Sequence, residues 1–311
     1  MENSIPLSGK RTQRTSVLRW RRLLPKLWIP FAFLLPAFAL YAIFFIFPFL
    51  FAVGLSFQEW NLISPDKKFV GLANYQHLLK DEVFWISLSN SALYVLYTVP
   101  FSIGLGLLLA LTVESLLRGK KLYRLIFFLP VVSSIGVISI VWSLMYNPDV
   151  GAINVLLRSF GIDGPNWSNN PATALWALAI VGIWKGFGYN MVLYISGLKS
   201  IDRRLYEAAA MDGGGRWAQF RHVTLPLLSP VTFFILVMSI ISSFQVFATI
   251  QIMTRGGPNN ATNVLVYQIY QEAFQFFNIG VAMASSVVLL LLVGVLTIIQ
   301  LRLSNHTVHY Q

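Results

Sequence analysis

The stretch VFWISLSNSALYVLYTVPFSIGLGLLLALTV, Val83 to Val113, contains no Asp, Glu, Lys or Arg. A helix rises about 1.5 Å per residue, so roughly 20 apolar residues cross the roughly 30 Å of hydrocarbon in a bilayer, and this run is longer. Its apolar residues are continuous rather than alternating, which selects a helix over a strand of a membrane barrel. Four more charge-free intervals surround it: Leu27 to Gln58, Leu125 to Pro148, His222 to Thr254 and Ala273 to Leu301. A further apolar stretch, from about Ala172 to Leu198, carries a single charge, Lys185. The reading is an all-α membrane protein with six transmembrane helices over residues 27–303, a basic segment over 1–26 and a short tail over 304–311.

Composition agrees. Hydrophobic residues make up 56% of the 311 and charged residues 11%, whereas a water-soluble domain carries about 25% charged residues. The chain has no cysteine, which excludes disulfides, thiolate metal sites and cysteine nucleophiles. Its histidines, His77, His222, His306 and His309, show no metal-ligand spacing.

The net charge of +11 would suggest nucleic acid in a soluble protein. Its placement points instead to topology. Lys10, Arg11, Arg14, Arg19, Arg21, Arg22 and Lys26 precede the first span. Counting alternate connections adds Arg118, Lys120, Lys121, Arg124, Lys199, Arg203, Arg204, Arg216, Arg221 and Arg302 to the same side. The opposite side holds only Lys67, Lys68, Lys80, Arg158 and Arg255. The positive-inside rule then makes both termini cytoplasmic, helped by attraction to an anionic inner leaflet. Ala37-Phe38-Ala39 mimics a signal-peptide cleavage site, but the apolar run continues to Leu55, too long for a signal core.

The external connections read as surface turns: Asn147-Pro148-Asp149, Gly164-Pro165-Asn166 and Gly256-Gly257-Pro258-Asn259. The connection over residues 199–226 differs. Ile201 to Met211 reads as a short amphipathic helix, with Leu205, Ala208, Ala209 and Met211 apolar among Asp202, Arg203, Arg204 and Glu207. Gly213-Gly214-Gly215 stops it, and a second helical stretch, Trp217 to Thr224, leads into Leu225-Pro226. The pattern leaves two readings open: insertion into a cleft of another protein, where small side chains allow close approach, or rest on the lipid surface.

At these residues the chain resembles a family. Glu207-Ala208-Ala209, then Gly213, then Val223-Thr224-Leu225-Pro226 is similar to the E-A-A, G, I-x-L-P signature of binding-protein-dependent ABC importer permeases, with Val223 replacing the family's Ile. Leu205-Tyr206 and Met211-Asp212-Gly213 resemble the carbohydrate-type branch. So do Phe69-Val70-Gly71-Leu72-Ala73-Asn74-Tyr75, Phe127-Phe128-Leu129-Pro130 and Met253-Thr254-Arg255-Gly256-Gly257-Pro258. The resemblance runs from about Leu34 onward.

It implies a type I importer permease fold with a cytoplasmic coupling helix over residues 201–213. The family's partners would be a second permease forming a heterodimer, two cytoplasmic ATPases, and an external solute-binding protein that delivers a sugar or polyol. Nucleic acid is not expected. Glu207, Ala208, Ala209, Asp212 and Gly213 carry over as the ATPase contact set, with Arg203, Arg204 and Arg216 as salt-bridge donors. The chain has no Gly-x-x-x-x-Gly-Lys-Ser/Thr loop, so no cofactor is expected on it, and ATP with Mg would be used by the partner ATPase.

Polar groups inside spans should face a passage or a partner helix. Lys185 sits at Trp184-Lys185-Gly186-Phe187-Gly188-Tyr189-Asn190, where Gly186, Tyr189 and Asn190 join it as candidates. The alternative for Lys185 is snorkelling to the interface or pairing with the second permease. In the fifth span Ser239, Ser243 and Val246 share one face, and Ser242, Gln245 and Thr249 form the neighbouring stripe, although such hydroxyls also cement helix packing. Aligned on the E-A-A and L-P landmarks, Gly186, Ser239 and Ser243 fall where maltose-type members face sugar, whereas Lys185 and Val246 differ from them, against maltose itself. Trp184-Lys185 with Tyr189-Asn190 also resembles the glycerol-phosphate permeases of this branch, which makes glycerol 3-phosphate the alternative substrate: Lys185→Met would then abolish uptake of a phosphorylated solute and spare assembly.

Two other classes fare worse. A stand-alone channel or secondary transporter needs no docking helix, and no inverted repeat is visible. An intramembrane enzyme needs clustered catalytic groups, and no Ser-Lys, His-Asp or carboxylate pair lies within the spans.

Overall fold

The computed structural model describes residues 31–61, 63 and 66–307. The basic residues of the 1–26 segment lie outside these, as do residues 308–311 of the tail. The chain divides into two units, Met1–Gly54 and Leu55–Gln311.

The first unit contributes the apolar helix α1, Phe31–Leu55, whose regular turns are interrupted by a π turn at Ala42–Ile46. Its side chains are largely exposed.

The second unit begins with a two-stranded antiparallel ribbon, β1 (Gln58–Glu59) with β2 (Lys68–Phe69), and the short α2, Ala73–Lys80. Asn74 Nδ2 donates to the carbonyls of Ser56 and Gln58, both at 2.9 Å, tying α2 to the first strand. The remaining long helices are α3 (Glu82–Ser115), α7 (Pro171–Ser200) and α13 (Ile279–Thr307). Asp81 caps α3 by accepting from Val83 N, and Asn170 caps α7 by accepting from Ala172 N. Helices α3 and α7 form the centre, where Ala110, Val113, Met191, Tyr194 and Ile195 make one buried cluster with Leu228 and Ile235.

Among the described residues five helices are long and apolar enough to span a bilayer, and one bent pair, counted as a single span, makes a sixth. That sixth span, expected as one helix from Leu125, is instead two: α4 (Lys120–Val132) and α5 (Ile135–Met145), bent by 96°. Ser133 and Ser134 between them are extended. A short surface helix, α6 (Ala152–Ser159), follows.

The stretch expected as a short amphipathic helix is α8, Arg203–Met211, with Asp202 as its N-cap, accepting from Arg204 N at 2.9 Å. Next come α9 (Arg216–Gln219), a π turn at Phe220–Thr224, a turn of helix at Leu225–Leu227, and α10 (Ser229–Phe244). The fifth span is therefore also interrupted. Its helix stops at Phe244 and resumes as α11, Ala248–Met253, with Phe247 outside helical geometry.

The connection after α11 is more than a surface turn, because Thr262 and Asn263 are fully buried. Asn90 of α3 donates to the carbonyls of Asn260 at 2.8 Å and Asn263 at 3.0 Å, and Ser91 Oγ accepts from Leu265 N at 2.9 Å. This loop delivers the chain to α12, Leu265–Tyr270. The turns at 147–149 and 164–166 are likewise stapled together: Asn154 donates to the carbonyls of Pro148 and Pro165.

Candidate functional site

A cavity of 670 Å³ opens among α3, α5, α7 and the interrupted fifth span. All seven residues expected along a passage line it: Lys185, Gly186, Tyr189, Asn190, Ser239, Ser243 and Gln245. The geometry explains why. In a bilayer, backbone that leaves helical geometry is tolerated where it lines a cavity or is buried in protein. Both interruptions meet here, since Ile135 at the far side of the α4–α5 bend and Gln245, Val246, Phe247 and Ala248 at the second break all reach the cavity wall. The break also merges the two polar stripes of the fifth span, and Ser239, Ser242, Ser243, Gln245 and Thr249 face one space.

The opposite wall comes from α3 and was not anticipated. Tyr94, Thr98 and Ser102 line the cavity. They recur every four residues, on one helix face, so the spacing of hydroxyl side chains in Val83–Val113 was the available signal. Ser102 also accepts a long hydrogen bond, 3.4 Å, from Asn190 Nδ2, which joins this wall to α7.

Lys185 has three partners. Its ammonium donates to the carbonyls of Ser133 at 3.0 Å, Pro130 at 3.2 Å and Val131 at 3.4 Å. Among the described residues it faces no carboxylate within ion-pair distance. One turn further along α7, Gly188 is buried against α4: a Cβ there would stand 2.1 Å from the Phe127 carbonyl oxygen. Only hydrogen at this position lets α7 approach closely enough for Lys185 to reach the end of α4.

The second candidate region is α8, which buries none of its residues. Glu207, Ala208 and Asp212 are exposed, as is Gly213, and Ala209 is half-buried. Gly213 has a φ of +83°, the left-handed geometry that ends helices. Arg203 Nε and Glu207 Oε1, expected as separate contacts for a partner, pair with each other at 3.0 Å, one turn apart and in full exposure. Such a pair contributes about 0.3–0.5 kcal/mol and is readily exchanged for an external partner. Arg204 and Arg216 are exposed and form no salt bridge among the described residues. Tyr206 anchors the helix, its hydroxyl lying 3.1 Å from Thr224 Oγ1 while its ring packs against the Ile201 cluster. Met211 and Trp217 stand 88% and 71% exposed on this segment.

These features define a multi-span membrane protein with a broken-helix cavity and a largely exposed helix outside its spans. Residues 102–309 match the family described as binding-protein-dependent transport system inner membrane component. The chain belongs to that family: it is a permease subunit of an ABC importer, a transport component rather than an enzyme. A probable ABC transporter permease of Pyrococcus horikoshii is 37% identical over 85% of this chain and 92% of its own length. An sn-glycerol-3-phosphate transport system permease of Yersinia enterocolitica is 36% identical over 91% of this chain and 96% of its own. The same fold occurs in the crystal structure of a bacterial ABC transporter involved in import of the acidic polysaccharide alginate, with a TM-score of 0.80 at 23% identity, covering 93% of this chain and 99% of that one.

Proposed function

We propose that the chain translocates a sugar or polyol through the 670 Å³ cavity, with a second permease completing the passage. The observation that carries this reading is the meeting of two broken spans in one hydroxyl-lined space, where Ser239, Ser243 and Gln245 oppose Tyr94 and Asn190. Hydroxyl and amide side chains both donate and accept, which suits a solute bearing hydroxyls, and the Tyr189 ring offers a face for a sugar's C–H surface. An external solute-binding protein delivers the solute, and both termini face the cytoplasm of a cell whose plasma (inner) membrane holds the complex.

Two ATPases supply the energy by gripping α8 from the cytoplasmic side, with Glu207, Ala208, Ala209, Asp212 and Gly213 in contact and Arg203, Arg204 and Arg216 as ion-pair donors. ATP-driven closure of the ATPase pair draws the two docked helices together and turns the permeases from inward-facing to outward-facing, a rigid-body change between two states. ATP and Mg belong to those partners.

Glycerol 3-phosphate is the second reading, favoured by the lysine in the cavity wall and by the name of the Yersinia relative. The test is ligand binding to the cognate solute-binding protein, followed by uptake of that ligand in cells carrying Ser239→Trp, which should fill the cavity and stop transport. Full uptake in the tryptophan variant would remove the cavity from the pathway.

A further inference from the structure

We infer that Lys185 is a positioning residue that caps the broken third span, and that it is not a ligand for an anionic solute. The inference rests on the reading of the cavity as the passage. An ammonium has three protons and no acceptor. Here the three are matched by three backbone carbonyls, those of Pro130, Val131 and Ser133. Two of these belong to the last turn of α4, whose closing carbonyls have no partner within the helix. The third belongs to Ser133, the residue where α4 ends. Ser133 Oγ completes the cap by donating to the Leu129 carbonyl at 2.9 Å.

Pro130 is buried and Val131 and Ser133 are half-buried, so carbonyls left there without a donor are costly. The negative end of the α4 dipole also favours a cation at this point. Lys185 therefore holds the bend between α4 and α5 and, through it, the position of Ile135 on the cavity wall. Its protons are occupied by backbone, which leaves the hydroxyls of Ser239 and Ser242 and the Gln245 amide as donors on the cavity wall and makes a neutral polyhydroxylated solute the better fit.

The test uses the assembled transporter in native membranes. The chain has no cysteine, so Ile135→Cys places one thiol on this subunit at the cavity wall, and its reaction with a water-soluble maleimide can be followed on this chain after electrophoresis. In the absence of solute, Lys185→Met should speed labelling by about fivefold as the bend loosens. Lys185→Arg should restore the original rate, and Lys185→Gln, an uncharged donor, should restore part of it. Inorganic phosphate or glycerol 3-phosphate should not protect the thiol. Unchanged labelling in Lys185→Met, a glutamine variant no better than methionine, or protection by either phosphate that disappears with the lysine would each overturn the inference. Should Lys185→Met fail to assemble, the Arg and Gln variants and the protection experiment still decide. The readout needs no transport, so a failure of the passage reading shows separately, as uptake unaffected by Ser239→Trp.

Discussion

The hydroxyls of Thr98 and Ser243 lie 3.1 Å apart, joining α3 to α10 at the cavity wall. The Thr98 proton is directed to the Tyr94 carbonyl at 2.7 Å, so Ser243 is the donor of the pair and its lone pairs remain available to a solute. Ser243→Ala should lower stability by about 0.6 kcal/mol, the typical strength of an interhelical hydrogen bond in a membrane, and slow uptake several-fold. Thermal unfolding in detergent and solute uptake measured side by side would check both numbers. A stability loss with no change in uptake would assign the pair to packing alone.

Helix α8 should be the point of ATPase attachment. Glu207→Lys places a like charge beside Arg203, and Gly213→Glu places a side chain in the left-handed geometry, which costs about 1–2 kcal/mol for a residue with a Cβ. Either variant should lose the co-purifying ATPase while the permease itself still reaches the membrane. Retention of the ATPase in both would sink the attachment.

Gly188→Ala should be among the most damaging single-methyl changes in the chain. The added carbon would overlap the Phe127 carbonyl oxygen, and overpacking of this kind costs about 1–3 kcal/mol. The expected result is a lowered melting temperature in detergent together with faster labelling of Ile135→Cys. Wild-type values for both would mean that α4 and α7 are farther apart than described.

Asn90→Ala takes its donor from the buried carbonyl of Asn263 and one of two donors from the half-buried carbonyl of Asn260, which keeps the Asn263 N–H, at a cost of about 1–3 kcal/mol. The loop over residues 254–264 should then open to protease. Limited proteolysis of right-side-out and inside-out vesicles would report this and also the side on which the loop lies, expected to be external.

The spans were legible because hydropathy is a sum over side chains, and Val83–Val113 differs little from the observed α3. The breaks were not, because hydropathy does not register backbone geometry. Proline gives no reliable warning: Pro100 lies within α3 without interrupting it, while Pro130 precedes the α4–α5 break. The cavity-lining side chains of α7 and the fifth span were legible as polar groups in an apolar setting. The partners of Lys185 were not, because its protons go to carbonyls, which every residue carries and no sequence pattern distinguishes. The pairing of Arg203 with Glu207 was open to view from their spacing of four, but was obscured by reading both as contacts for a partner.

The exposure of Met211 and Trp217 bears on how the isolated chain behaves in water. Met211 at the end of α8 and Trp217 on α9 present two large apolar side chains at the surface of one segment outside the spans, near the Tyr206 anchor, and in the isolated chain such a surface invites self-association unless it is covered.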